Sequence, residues 1–185
     1  DITGVNMFNQ KTGEWVFHAG PVFAEIVLAD EINRASPKTQ SALLEVMEEA
    51  QVTVDGVRRP APQPFMVIAT QNPVEQAGTY PLPEAQLDRF LMKTSIGYPS
   101  RAAMIDVLDG SASPDRSKNL EPLVTGQDIV AWAALASANH TDRAVLDYVA
   151  ALAEATRDDE SSLLGVSTRG AIGMVRCARV WAAAQ

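Results

Sequence analysis

Two short apolar runs constrain this chain more than any other feature: EIVLADE (25–31) and PFMVIATQN (64–72). Each is too short for a buried helix, and each closes in polar residues. That is the pattern of a strand buried on both faces of a parallel sheet. Parallel strands need a long crossover between them, and the intervening segment supplies one. Ser36-Pro37 opens a helix, with serine as N-cap and proline in the first helical position. Ala42, Leu43, Val46, Met47 and Ala50 follow at helical spacing and give it one apolar face. QVTVDGVRR (51–59) then reads as a hairpin turning at Asp55-Gly56. The order strand, helix, strand defines an α/β core.

The flanking segments extend that frame. VNMF and EWVFH, on either side of NQKTG, read as a hairpin over residues 5–18. Pro83 starts a helix that carries EAQLDRFLMK. Beyond Tyr98-Pro99-Ser100 the chain turns alanine-rich and helical. Helices are predicted near 100–109, 126–138, 142–157 and 168–184, with Ser100, Thr125, Thr141 and Ser167 as N-caps. The expected division is an α/β unit over 1–99 and an all-α unit over 100–185.

Charge and composition exclude several functions. The net charge is −8, and both halves about Pro99 are acidic. Neither half has the basic surplus of a nucleic-acid binder. The single cysteine, Cys177, excludes an internal disulfide framework and reads as a small core residue among Met174, Val175, Ala178 and Val180. His18 and His140 lie far apart, with neither zinc-ligand spacing nor a serine–acid arrangement. No apolar run approaches the roughly 18 residues of a membrane helix, and the N-terminus is no signal peptide. A soluble, cytoplasmic protein is expected. Trp132 and Trp181 read as packing residues of the helical half. Trp15 shares its hairpin with Phe8 and Phe17, so that hairpin either packs on the domain or offers a partner surface.

The chemistry is expected at the strand ends, because open parallel sheets bind ligands beyond the carboxyl ends of their strands. Those ends present Asp30-Glu31 and Asn72. An acid pair here suits nucleotide hydrolysis: the first acid associates with Mg²⁺, and the second takes a proton from the attacking water. It equally suits a strand that simply ends in acids at the solvent boundary. Asn72, flanked by Gln71 and Pro73, is either a turn asparagine or an amide that orients the same water. Arg89 is either a structural arginine paired with an acid or an arginine finger for a γ-phosphate across a subunit contact. Arg34 either lines a subunit interface or pairs with Glu31 or Asp30.

The long stretches GPVFAEIVLADEINRASPKTQSALLEVMEEAQVTVDG and PFMVIATQNPVEQAGTYPLPEAQLDRFL resemble the MoxR family of AAA+ ATPases. The similarity runs from about Asp1 to Pro99 and continues more loosely to GVSTRGAIGMVRCAR. The resemblance implies roles. IVLADE matches Walker B, which makes Asp30 the Mg²⁺-associated acid and Glu31 the catalytic base. ATQNP matches sensor 1, which places Asn72 beside the water and the γ-phosphate of ATP. EAQLDRF matches the segment whose arginine, here Arg89, acts on the neighbouring subunit's nucleotide. GVSTRGA matches sensor 2, which makes Arg169 the lid arginine that reaches the phosphates. The two hairpins resemble the helix 2 insert and the pre-sensor-1 insert. The family also implies a ring, expected to be a hexamer, that remodels or matures partner proteins as a chaperone, commonly with a von Willebrand factor A domain protein.

The phosphate loop G-x-x-x-x-G-K-[ST] does not occur in this sequence: Lys11, Lys38, Lys93 and Lys118 follow Gln10, Pro37, Met92 and Ser117, never glycine. The expectation is a fragment of a longer protein that lacks Walker A and is inactive alone, while its parent is an ATPase. The alternative is a non-enzymatic interaction module derived from an AAA+ domain. A DNA-remodelling relative is a third reading, which the acidic balance opposes.

Overall fold

The structure is a computed structural model that describes residues 2–72, 78–110 and 120–185. It begins with the expected hairpin, β1 (Gly4–Asn9) and β2 (Glu14–Ala19), in which Phe8 faces Trp15 and Asn6 faces Phe17. Gly13, at φ +72°, lets the chain turn and donates its N–H to Asn9 O at 2.8 Å. Strand β3 (Ile26–Ala29) leads through a 3-10 turn at Ile32–Arg34 into helix α1 (Pro37–Glu49). The helix starts where the sequence says. Ser36 Oγ accepts the Thr39 N–H at 3.3 Å, and Pro37 fills the first position, where no amide hydrogen is needed.

The second hairpin is β4 (Gln51–Val54) and β5 (Val57–Pro60). Asp55 and Gly56 have φ of 51° and 77°, the paired left-handed conformation that matches strand twist in a two-residue turn. The two hairpins touch. Arg59 stacks over the Phe17 ring at 3.6 Å, and Asn6 Nδ2 donates to Asp55 Oδ2 at 2.5 Å. Strand β6 (Met66–Ala69) then pairs parallel to β3, with Val27 beside Val67 and Leu28 beside Ile68.

The core forms where α1 covers one face of this sheet. Leu43, Leu44 and Val46 bury against Val22, Val27, Ile32, Val52 and Leu82, each side chain contributing about 1.5–3 kcal/mol. The other face corrects the expectation of strands buried on both sides. Ile26 and Leu28 are 63% and 65% exposed, and Met66 and Ile68 are 55% and 44% exposed. Period-2 alternation sends all four away from α1, and no described residues cover them.

Helix α2 (Glu84–Leu87) is shorter than EAQLDRFLMK suggests, and Pro83 is its N-cap. After Leu87 the backbone tightens into three-residue turns, Arg89 N–H to Gln86 O and Phe90 N–H to Leu87 O. The remaining helices are α3 (Arg101–Leu108), α4 (Gly126–Ala138), α5 (Arg143–Asp158) and α6 (Thr168–Ala183). Ser100 and Ser167 cap α3 and α6 as expected. Thr141 does not cap α5: Asp142 accepts the Ala144 N–H at 2.8 Å, and the Thr141 hydroxyl accepts from Arg179 Nε. A carboxylate one residue later is the stronger acceptor for the helix amides. Helix α6 packs on α4 and α5, yet Cys177, Trp132 and Trp181 point outward and are exposed, against expectation. Packing gives two compact units. One ends at Leu91 and resumes at Gly126–Gln185; the other is Met92–Thr125.

Candidate functional site

Asp30, Glu31 and Asn72 follow the C-terminal ends of the two parallel strands, and one residue between them organises the group. Thr70 Oγ1 donates to Asp30 Oδ1 and accepts the Glu31 N–H at 2.9 Å. The Thr70 carbonyl accepts the Ile32 N–H at 3.0 Å, and its N–H donates to Ala29 O at 3.1 Å. Glu31 is thereby held at φ 50°, ψ 50°, a left-handed conformation that costs a residue with a side chain about 1–3 kcal/mol. Such strain persists where the surroundings over-determine it, as Thr70 does here. The Glu31 carboxylate accepts from Arg34 Nη1 at 3.3 Å, and both side chains are about half exposed. This is one of the partners read for Arg34 in the sequence.

Two buried side-chain amides anchor Asn72 and Tyr80, described residues that follow β6. Gln40, on α1, donates through Nε2 to Ile32 O at 3.0 Å and to Tyr80 O at 2.8 Å. The Asn33 carbonyl accepts the Tyr80 N–H at 2.6 Å, and Asn33 Nδ2 donates to the Asn72 carbonyl at 3.5 Å. Pro73, read as flanking Asn72, lies outside the described residues. Sequence reasoning missed Thr70, Asn33 and Gln40. Gln40 had a signal: it precedes Leu43 and Leu44 by one helical turn and so interrupts the apolar face. Thr70 had a weaker one, a hydroxyl where the strand ends.

Arg89 and Arg169 form a second group. Arg89 donates through Nη2 to Glu48 Oε2 at 3.0 Å and through Nη1 to the Leu44 carbonyl at 3.0 Å. Arg169 donates through Nη2 to Glu48 Oε1 at 2.5 Å and through Nη1 to Asp88 Oδ2 at 3.5 Å. The Ser167 hydroxyl, which caps α6, donates to Asp88 Oδ1 at 2.7 Å. Glu48 lies in the last turn of α1, ~16 Å along the helix from Pro37 at a rise of 1.5 Å per residue. The arginines therefore share a carboxylate at one end of α1, while the acid pair lies before its other end. A cleft of about 290 Å³ opens beside Arg89 and is lined by Ser41, Leu44, Glu45, Glu48, Glu49 and Gln86.

A profile of the ATPase family associated with various cellular activities (AAA) matches residues 1–92. The parallel strands, the acid pair at their ends and this match define the class as AAA+. The chain is 48% identical over 182 residues to the uncharacterized protein YeaC of Bacillus subtilis, covering 98% of this chain and 57% of that protein. It is 42% identical over 189 residues to chaperone MoxR1 of Mycobacterium tuberculosis, covering 97% and 49%. A solved structure of a Cytophaga hutchinsonii protein assigned as an ATPase superposes with a TM-score of 0.84 at 38% identity, covering 99% of this chain and 58% of that one. The chain belongs to the MoxR family of AAA+ proteins. It spans about half the length of the curated relatives it matches.

Proposed function

We propose that this chain is part of an ATPase that hydrolyses ATP in a ring, most simply a hexamer, and so remodels or matures partner proteins in the cytoplasm. The observation that carries this reading is the strand-end cluster, in which Thr70 holds Asp30 by its side chain and Glu31 by its backbone. Asp30 offers a hard oxygen donor at an exposed strand end, which fits Mg²⁺. Bound there, Mg²⁺ with ATP would supply charge neutralisation between phosphates.

Glu31 accepts a proton from water as general base, and Asn72 helps orient that water. Arg34 pairs with the Glu31 carboxylate, and Glu31 exchanges that exposed partner for the water it activates. Arg89 and Arg169 lie beside the C-terminal turns of α1, while their own acid pair precedes its N-terminus. That separation supports Arg89 as an arginine that neutralises charge on a neighbouring subunit's nucleotide, which makes assembly a condition of turnover; Arg169, the lid arginine that reaches the phosphates, shares its carboxylate. In the division expected from the sequence, the α/β part over 1–99 carries the base and the first arginine and the helical part over 100–185 the second; all three lie in the packed unit of Asp1–Leu91 and Gly126–Gln185. The absence of a Walker A sequence from these residues supports weak nucleotide binding and negligible turnover by the 185-residue piece alone. A von Willebrand factor A domain protein is the partner class the family suggests. The acidic charge disfavours nucleic acid, and no helix among the described residues is long and apolar enough to cross a membrane.

Steady-state ATPase assays on the whole protein test the reading. Glu31→Gln is expected to abolish turnover while nucleotide binding persists. Turnover at the wild-type rate would overturn the assignment and leave the non-enzymatic module as the better account.

A further inference from the structure

We infer that Glu48 is the positioning residue of the reaction: one carboxylate aligns Arg89 and Arg169 as a pair for the neighbouring subunit's nucleotide. The inference rests on the ring ATPase reading above. Its own basis is geometric. Each Glu48 oxygen takes a different arginine, Oε1 from Arg169 and Oε2 from Arg89. The arginines are far apart in sequence, on the segment after α2 and on α6, and each has one further anchor. Arg89 is tied to the Leu44 carbonyl, one turn before Glu48, and Arg169 to Asp88. These contacts take one N–H from Nη1 and one from Nη2 of each guanidinium, two of its five donors, and a phosphate would be met by the others.

Like charges brought together repel, and a shared carboxylate between them offsets that repulsion. Glu48 therefore does what neither arginine can do alone: it keeps two cations side by side in the absence of a phosphate. Its side chain is 38% exposed, so the pair sits near solvent, within reach of a second subunit. Because Glu48 and the acid pair ride on and before the same helix, α1 also fixes the spacing between the nucleotide a subunit holds and the one it serves. Glu48 touches no reacting atom in this scheme and acts through the two arginines.

The test uses rings of the whole protein. Glu48→Ala is expected to lower kcat about 100-fold, the scale of a roughly 1 Å misplacement of a catalytic group, with KM for ATP little changed. Glu48→Gln, of nearly the same shape, removes only the charge and is expected to share the kcat loss. It carries the same readouts should the alanine variant fail to fold. Glu48→Ala subunits keep their own Glu31, and Glu31→Gln subunits keep their arginine pair. Mixing the two is therefore expected to restore turnover well above either variant alone. Unchanged kcat in both Glu48 variants, or no recovery on mixing, would overturn the positioning role while wild-type turnover and a dead Glu31→Gln leave the ATPase reading intact. A fully active Glu31→Gln would overturn both.

Discussion

At the scale of single residues, the structure shows how few side chains decide the geometry of the strand ends. Thr70 is the clearest case. It binds the Asp30 carboxylate and the Glu31 amide together, and without it Glu31 has less reason to stay left-handed. Thr70→Val keeps the shape and removes both bonds. It is expected to cost about 1–3 kcal/mol in denaturant unfolding, and to lower kcat in the whole protein. Asp159 gives a second residue-scale prediction. The Ser161 hydroxyl and N–H donate to its Oδ1 at 2.7 and 2.8 Å, and these bonds hold its carboxyl below the ordinary value of 3.8. The charged form is thus favoured in the folded state. Its stabilisation is fully present above the unfolded value and is lost as pH falls through the lower folded one. Carboxyl NMR titration is expected to find the midpoint below 3.8 and to see it rise in Ser161→Ala.

At the scale of elements, helix ends and corners carry the specificity. Ser167 both caps α6 and donates to Asp88, so one hydroxyl ties the start of the last helix to the turn that bears Arg89. Ser167→Ala is expected to destabilise the chain by about 1 kcal/mol as a lost cap, measured by chemical unfolding. The α5–α6 corner is equally determined. Arg157 donates twice to the Val166 carbonyl, and Thr156 accepts the Val166 N–H. A Cβ on Gly165 would lie 2.6 Å from Arg157 Cα, a backbone neighbour that cannot step aside. Gly165→Ala is therefore expected to lower the melting temperature, whereas alanine at Gly13, where a Cβ meets nothing within 4 Å, is expected to lose only what its positive φ costs.

At the scale of the whole molecule, the open face of the parallel pair dominates. Ile26, Leu28, Met66 and Ile68 form one apolar surface on strands whose sequence is that of a buried sheet. The 185-residue chain in isolation is expected to scatter light or bind a hydrophobic dye. Leu28→Thr with Ile68→Thr, which places a β-branched polar residue suited to a strand at both positions, is expected to reduce that signal. The sequence was most legible where the physics is local. Both hairpins, the Ser36-Pro37 start of α1, the parallel order of β3 and β6, and the positions of the four later helices all follow from turn chemistry, caps and periodicity. The cap of α5 was missed because Thr141 and Asp142 are adjacent candidates, and only the fold hands the hydroxyl to Arg179. Asp30, Glu31 and Asn72 were legible as strand-end polar residues, since a strand that leaves an apolar layer must end in groups that tolerate water. The sequence by itself thus determined the α/β order and the acid pair. The tertiary structure alone decided that Thr70 bridges that pair and that one Glu48 carboxylate joins Arg89 to Arg169. Those contacts bring together residues 39 to 121 positions apart, and such pairings follow from how packed elements meet, which no local pattern encodes.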